Sequence, residues 1–372
     1  MSEQISTIEI ERPRESSTVE RPRPLRIAQV APLYESVPPK LYGGTERVVS
    51  YLTEELVRRG NEVTLFASGD SVTSARLHAG YPTSLRLSGL AQVAANGLGM
   101  HMPMLSHVFE NADDFDIIHC HLDYWTFAFS NLVATPTITT LHGRLDLDEL
   151  VPIFDQFKDR PLISISDSQR KPLPAMNWVS TIHHGVPRDH LQFNPKGGKY
   201  LAFLGRIAPE KRPDIAIQVA RKAGIPLKIA AKVDEIDRAY FKDTIEPTIK
   251  AAPVVEFIGE INETQKSEFL GNALALLFTI DWPEPFGLVM IEAMACGTPV
   301  IARPFGSVPE IMRHGVTGFI ASEFDDLVGA VKKVDSLSRQ ACREEYEHRF
   351  AVEVMAEKYE RVYRELITIN RR

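Results

Sequence analysis

Residues 284–299 read EPFGLVMIEAMACGTP, and this stretch places one carboxylate, Glu292, in a run that is otherwise apolar. Proline and glycine interrupt the chain just before residue 288, and Gly297 and Pro299 follow the run, so the spacing predicts a short helix between them. An isolated carboxylate is costly to bury without partners. We therefore expect Glu292 to meet hydrogen-bond donors in a cleft.

The start of this predicted helix has the properties of an anion site. A helix N-terminus presents unpaired N–H groups and about half a positive charge, which suits a phosphate. Glu284 lies before the first turn, and Leu288 and Glu292 share one face of the helix. We interpret the two acids as partners for hydroxyl groups beside a bound phosphate. The alternative is a core helix with one acid that faces solvent.

These residues resemble the signature of the retaining family 4 glycosyltransferases, in which two glutamates eight positions apart flank the start of a helix in the donor site. The resemblance implies an α/β protein of the GT-B fold, with two facing Rossmann-like, doubly wound domains and a cleft between them. It also implies that Glu284 contacts the transferred sugar and that Glu292 holds the ribose. The donor-binding residues around them would be Phe286, Gly287 and Leu288.

Two cations follow the first predicted strand of the second half, in the stretch LGRIAPEK (204–211). Arg206 offers a planar fork of donors and Lys211 a point charge, and both suit a diphosphate. The resemblance implies that they neutralise the donor diphosphate as it leaves, with Gly205 beside it. A pair of solvated surface cations is the alternative interpretation.

Two stretches of the first half also match the family. In YGGTER (42–47), Gly43 and Gly44 allow a close approach of the backbone to a ligand, and the resemblance implies contact with donor phosphate or acceptor. His142 follows a predicted strand, and the resemblance places it beside the sugar and its anomeric carbon. A plain loop and a structural histidine are the alternatives.

The run HCHLD (119–123) contains three types of metal ligand. We predict no metal site, because a zinc ion needs further converging ligands and the sequence names none. His121 and Asp123 are instead weak candidates for acceptor binding at a strand end. Glu310 lies in a stretch that matches a family loop near the nucleotide, and a surface position is an equally good interpretation.

Composition bounds the remaining possibilities. The chain has 372 residues, 44% hydrophobic and 24% charged, with a formal charge of −7, which predicts a globular protein and gives no electrostatic reason to bind nucleic acid. Three widely spaced cysteines indicate neither a disulfide framework nor a zinc site, so a cytoplasmic location fits. No apolar run reaches the ~18 residues of a transmembrane helix, and peripheral membrane contact stays open. No cofactor is predicted.

Strand-like and helical segments alternate through both halves, which predicts parallel sheets with helices on both faces. We predict a disordered tail over residues 1–24, an acceptor domain over 25–184 and a donor domain over 185–350. Residues 351–372 form an amphipathic helix, and the resemblance implies that it crosses back to the acceptor domain. The predicted strands are residues 26–30, 62–67, 116–119, 137–140, 162–165, 179–182, 200–203, 227–231, 254–258, 274–278 and 300–302.

Taken together, we predict a hexosyltransferase that needs no metal and retains the anomeric configuration, with a nucleotide diphosphate sugar as donor and a hydroxyl compound of unknown identity as acceptor. UDP-glucose is the first donor to test. Two alternatives stay open: a GT-B nucleotide-sugar epimerase and a non-catalytic sugar-nucleotide-binding module. A dehydrogenase is disfavoured because the glycine fingerprint of dinucleotide binding is missing.

Overall fold

The computed structural model of the chain describes residues 23–86, 88 and 97–370. Most of the predicted disordered tail, residues 1–22, and the last two residues of the predicted C-terminal helix lie outside this description. The described part forms two parallel α/β sheets, so the predicted class of two doubly wound domains is confirmed. The boundaries proposed at residues 184 and 350 stay predictions.

The first sheet has seven strands in the order β3-β2-β1-β4-β5-β6-β7, and every pair of neighbours runs parallel. Its central strands are almost completely buried because helices cover both faces. The strands are β1 (Arg26–Val30), β2 (Glu62–Ser68), β3 (Arg76–Tyr81), β4 (Ile117–Cys120), β5 (Thr137–Thr140), β6 (Leu162–Ser164) and β7 (Trp178–Thr181).

The second sheet has six strands in the order β10-β9-β8-β11-β12-β13. They are β8 (Tyr200–Arg206), β9 (Leu227–Lys232), β10 (Val255–Gly259), β11 (Ala273–Phe278), β12 (Val300–Ala302) and β13 (Gly318–Ile320). In each sheet the strand order reverses beside the first strand, β1 or β8. Ligands of open α/β sheets bind beyond the carboxyl ends of the strands at such a point.

Thirteen helices connect and cover the strands in the described part of the chain. They are α1 (Gly44–Arg58), α2 (Gly97–Glu110), α3 (Val151–Gln156), α4 (Asp167–Arg170), α5 (Pro213–Ala223), α6 (Arg238–Tyr240), α7 (Glu246–Lys250), α8 (Glu263–Gly271), α9 (Leu288–Ala295), α10 (Val308–Ile311), α11 (Phe324–Lys333), α12 (Arg339–Arg349) and α13 (Val352–Asn370). Within these ranges, the search for a helix with the length and hydropathy of a membrane span finds none.

The last helix, α13, packs against α1 of the first sheet. Its buried residues follow the predicted helical spacing, since Met355, Tyr359 and Val362 lie inward. Tyr363 extends the same face and is fully buried. No residue range was predicted for β3 or β13, which are the edge strands of the two sheets. Strand β3 is partly exposed, and its sequence RLHAGY lacks the apolar alternation that indicates a strand. Strand β13 has only three residues.

Candidate active site

A cavity of about 840 Å³ lies between the two sheets, at the carboxyl ends of their strands. Residues from both halves line it, as expected for a cleft between two doubly wound domains. The structure places all of the predicted catalytic and donor-binding residues on its wall: Gly43, Gly44, His142, Gly205, Arg206, Lys211, Glu284, Phe286, Gly287, Leu288 and Glu292.

Residues of the 284–299 stretch line this cavity. Helix α9 begins directly after Gly287, whose φ of 81° is the left-handed conformation that glycine tolerates best. Glu292 is only 3% exposed. Its Oε1 lies 2.7 Å from Nζ of Lys266 on α8. The expectation that this carboxylate meets hydrogen-bond donors is therefore met by a lysine of the protein itself.

Glu284 lies before the same helix and is also paired. Its carboxylate accepts hydrogen bonds from Lys211 and, at 3.0 Å, from Nε1 of Trp282. The Lys211 ammonium group lies 4.9 Å from the centre of the Trp282 ring, which is within cation–π range. Glu284 and Lys211 therefore form one unit on the cavity wall.

Arg206 is the last residue of β8, and its guanidinium group donates hydrogen bonds to two acidic side chains. Nη1 lies 2.8 Å from Asp237 and Nη2 lies 2.5 Å from Glu210. Its side chain is still 25% exposed. A diphosphate can therefore reach this arginine, but it competes with two carboxylates for its donors.

The wall of the first half comes from the loop before α1 and from the start of that helix. The Tyr42 N–H donates to Oε1 of Glu260 at 3.1 Å, and Nζ of Lys232 lies 5.1 Å from the Tyr42 ring centre. A Cβ atom on Gly44 would lie 3.9 Å from Cδ1 of Leu288. The N-termini of α1 and α9 therefore lie next to each other on the cavity wall.

His142 follows β5 and completes the wall beside the α9 loop. Its ring stacks on that of His184 with centroids 5.3 Å apart, and His184 in turn meets Phe286 edge-on at 4.8 Å. Burial lowers the pKa of His142 to about 3, so the imidazole is neutral at physiological pH. This ring can therefore act as a neutral donor or acceptor of hydrogen bonds.

The two weak acceptor candidates do not line the cavity. His121 lies behind His142, with its Nδ1 2.8 Å from Nε2 of His142. Asp123 is exposed, has a φ of 47°, and accepts a hydrogen bond from the backbone N–H of His142. Both residues therefore contact His142, which itself lines the cavity, and are not part of the cavity wall.

Two other positions singled out from the sequence have different surroundings. No group of three or more histidine, cysteine or acidic side chains with a geometry that could hold a metal ion occurs within the described ranges, 119–123 included. Glu310 is not part of the cavity wall. It bridges the two halves, since its carboxylate accepts the backbone N–H groups of Asp167 at 2.7 Å and Ser168 at 2.6 Å.

The sequence did not predict several wall residues, above all Lys266, His184 and Glu46, nor Trp282, which contacts Glu284 from outside the wall. A capping box begins α8 at Asn262, so the sequence held a signal for the helix that carries Lys266. The sequence held no signal for the pairing of Lys266 with Glu292, because the two residues lie 26 positions apart. Tertiary packing alone brings them together.

Two facing parallel sheets with a cleft between their switch points define the GT-B class. Residues 42–186 match the family model described as Glycosyltransferase Family 4, and residues 189–351 match the one described as Glycosyl transferases group 1. The chain belongs to the family 4 glycosyltransferases. The fold and family implied by the sequence motifs are therefore confirmed.

Curated relatives include the D-inositol 3-phosphate glycosyltransferases of mycobacteria. The chain is 32% identical to that of Mycobacterium marinum over 250 residues, which is 57% of this chain and 53% of the relative. It is 29% identical to that of Mycobacterium tuberculosis strain H37Ra over 184 residues, which is 44% of this chain and 38% of the relative. The chain thus spans about half or less of the length of these two relatives.

Solved structures share the fold at low sequence identity. AviGT4, a glycosyltransferase involved in avilamycin A biosynthesis, superposes with a TM-score of 0.73 at 21% identity and covers 93% of this chain and 98% of its own. HepE of Anabaena, solved in complex with UDP and glucose, superposes with a TM-score of 0.71 at 17% identity and covers 92% and 100%. These likenesses concern the fold.

Proposed function

We propose that the protein is a retaining glycosyltransferase that moves a hexose from a nucleotide diphosphate sugar to an acceptor hydroxyl without a divalent metal. The observation that carries the proposal is the convergence of two cations, Arg206 and Lys211, and two acids, Glu284 and Glu292, on one cavity at the start of α9. UDP-glucose is the first donor to test, because Anabaena HepE was also solved with UDP-glucose.

Charge on the leaving diphosphate is the main electrostatic demand of such a reaction. Arg206, Lys211 and the free N–H groups at the start of α9 are fixed positive groups at one place, and groups of this kind stabilise developing negative charge. In this proposal the diphosphate replaces part of the acidic shell around Arg206. The same cations take the place of a metal ion, which is why we propose a metal-independent reaction.

The two acids have binding roles in this proposal. Glu284, held by Lys211 and Trp282, contacts hydroxyls of the transferred sugar, and Glu292, held by Lys266, binds the ribose. Retaining hydrolases use two carboxylates about 5 Å apart, one of them as nucleophile. We assign no nucleophile to this chain and propose attack by the acceptor on the face that the diphosphate leaves, with the diphosphate taking the acceptor proton.

The wall of the first half would bind the acceptor. Tyr42, Glu46 and Arg86 line it beside His142, so it offers both hydrogen-bond donors and acceptors. The curated relatives are named for D-inositol 3-phosphate, and this compound is therefore the first acceptor to test.

The test measures nucleotide release from UDP-glucose and other nucleotide sugars by the full chain, with and without acceptor and with EDTA. We expect Glu284→Ala to lose most turnover, about 10²-fold, if the contact tightens in the transition state. Glu292→Ala should mainly raise the donor KM, about tenfold, because a ground-state contact is lost. Glu256→Ala, an exposed acid of the same half, is the control.

Three outcomes would contradict the proposal. Wild-type rates in both variants with the correct donor would remove the assigned roles. Altered sugar released without acceptor would indicate an epimerase, and donor affinity without any turnover would indicate a binding module. Retention is checked by the anomeric proton coupling of the product in NMR.

A further inference from the structure

A line of hydrogen-bonded side chains connects helix α13 with the cavity wall. It begins at His142 and passes through His121 of β4 and Gln29 of β1 to Tyr363 of α13. From Tyr363 it continues through His119 and Thr140 to Tyr359. The successive distances are 2.8, 2.8, 3.2, 2.6, 2.7 and 3.0 Å.

Behind His142, every member of this line is inaccessible to solvent. Gln29, His119, Thr140 and Tyr363 have no exposed surface, and His121 is 3% exposed. Burial lowers the pKa of His119 and His121 well below the ordinary value, so both rings are neutral. A neutral imidazole has one nitrogen that donates and one that accepts. At each imidazole the direction of one hydrogen bond therefore fixes the direction of the other, whereas the hydroxyl of Thr140 can accept from His119 whichever way its own proton points.

The phenol of Tyr363 gives the line its direction. A phenol is a strong neutral donor and an unprotonated imidazole nitrogen is a strong acceptor, and the Tyr363 oxygen lies 2.6 Å from Nδ1 of His119. Because the Tyr363 hydroxyl donates its hydrogen bond to His119, its oxygen accepts from Nε2 of Gln29 at 3.2 Å. The amide oxygen of Gln29 then faces His121, which donates from Nε2 at 2.8 Å.

The direction is passed on to the cavity. With Nε2 of His121 protonated, its Nδ1 is the accepting nitrogen, so the hydrogen bond to His142 is donated by Nε2 of His142. Nδ1 of His142 is then a bare lone pair. This atom is buried and has no hydrogen-bond partner among residues 23–86, 88 and 97–370. A buried acceptor without a partner is rare in proteins and often marks a functional position.

We propose that Gln29, His121 and Tyr363 are positioning residues that hold His142 in its Nε2–H tautomer and leave its Nδ1 as a lone pair without a protein donor. None of the three lines the cavity, so each acts through His142. The effect of this tautomer on turnover rests on the proposed function, but the tautomer itself does not depend on it. The C-terminal helix thereby contributes to the site without touching the substrate.

The tautomer is measured directly on the full chain labelled with ¹⁵N-histidine, by long-range ¹H–¹⁵N correlation NMR. The His142 signals are assigned by their loss in His142→Gln. We expect the Nε2–H pattern in the wild type and a mixture of both tautomers in Tyr363→Phe, because the Gln29 amide loses the acceptor that orients it. An Nδ1–H pattern in the wild type, or an unchanged pattern in Tyr363→Phe, would overturn the inference.

Tyr359→Phe is the matched control. Tyr359 lies one turn away on the same helix and is equally buried, but its hydroxyl stands at the far end of the line, on Thr140 at 3.0 Å. We expect this variant to keep the wild-type tautomer of His142. A loss of the tautomer pattern in both variants would point to packing of α13 instead and would overturn the inference.

Turnover provides a second readout. In acceptor-free hydrolysis of UDP-glucose, Tyr363→Phe should lower kcat about tenfold at a nearly unchanged donor KM, the factor expected for about one hydrogen bond. Tyr359→Phe should stay within about twofold of the wild type. Equal losses in the two variants would overturn the inference. A wild-type protein that turns over no nucleotide sugar would refute the proposed function, while the NMR result would still decide on the positioning residues.

Discussion

At the scale of single residues, the two donor-site glutamates of the cavity are paired before any ligand binds. Glu284 is held by Lys211, and Glu292 by Lys266 at 2.7 Å. Lys266 also contacts Glu263 at 2.6 Å, so Glu292 belongs to a longer ionic chain. Pairing of this kind lowers the cost of burying the charges. It also holds the carboxylates in fixed positions, which reduces the ordering that ligand binding requires.

Glu46 differs from these two acids, because no ion pair to its carboxylate is present in the described structure. It lines the cavity and is 5% exposed, and burial raises its pKa from the ordinary 4.5 to about 7. Hydrogen bonds from the backbone N–H groups of Glu46 and Glu35 lower this pKa, but burial has the larger effect. The folded state therefore binds this proton more tightly than the unfolded state. Ionisation costs stability, and the cost grows as pH rises from about 4.5 to about 7 and is constant above.

Replacement of Glu46 by glutamine should remove this cost. We expect the thermal midpoint of Glu46→Gln to exceed that of the wild type by a few degrees at pH 8 and by little at pH 5. Differential scanning calorimetry at both pH values checks this. Glu357→Gln, at an acid whose side chain is 63% exposed, should show no such dependence. An equal shift at both pH values would contradict the pKa assigned to Glu46.

At the scale of elements, the start of α9 decides where the donor-site residues stand. Gly287 adopts a φ of 81°, and a Cβ atom there would lie 2.9 Å from both Cε of Met290 and Cζ of Phe278. At the other end, Gly297 adopts a φ of 78° and its N–H bonds the carbonyl of Met294. Glycine therefore permits both a sharp entry and a sharp exit, as the sequence pattern predicted.

Alanine at Gly287 should strain this entry. We expect Gly287→Ala to cost about 1–3 kcal/mol of stability and to weaken UDP binding, because the N–H groups at the start of α9 move. Gly224→Ala is the matched control: its φ is 72°, but nothing lies within 4 Å of the added Cβ. It should cost about 1 kcal/mol and leave UDP affinity unchanged. Thermal unfolding of both variants measures the loss of stability, and calorimetric titration with UDP measures the affinity. Equal losses of UDP affinity in the two variants would contradict the prediction.

At the scale of the whole molecule, polar contacts bridge the two halves around the cleft. Arg47 of α1 lies 2.7 Å from Glu263 of α8. The Tyr42 N–H donates to Glu260, and Glu310 holds the start of α4. His190, on the segment between the sheets, also lies 2.7 Å from Glu263. Glu263 is thus a shared partner of both halves, and through Lys266 it reaches the Glu292 carboxylate.

Loss of the Arg47 contact should open the cleft. The Arg47 side chain is 5% exposed, and removal of one partner of a buried ion pair typically costs about 3–5 kcal/mol. We expect Arg47→Gln to increase the radius of gyration in small-angle X-ray scattering and to raise the donor KM several-fold. Arg58→Gln is the control, because Arg58 is exposed on the same helix and its ion-pair partner, Glu55, belongs to α1 itself. A wild-type radius of gyration and a wild-type donor KM in Arg47→Gln would contradict the prediction that this ion pair holds the cleft closed.

Local pattern was enough to predict much of this molecule. Strand-like and helical segments alternate within short windows, so both parallel sheets could be predicted, but no range was predicted for the edge strands β3 and β13. The donor-site residues could be predicted for the same reason, because Glu284, Gly287 and Glu292 lie within one turn and helix. Proline and glycine residues mark both ends of this unit in the sequence. Whether these residues perform the proposed roles stays a prediction.

Only the tertiary structure decided which groups meet across the chain. Lys266 reaches Glu292 because α8 packs beside α9. Gln29 and Tyr363 are 334 positions apart, yet share a hydrogen bond inside the first half. Such partners leave no periodic signal, since their pairing depends on how helices and sheets pack rather than on local conformation. The ionic chain of the cleft and the line behind His142 therefore follow from the folded structure alone.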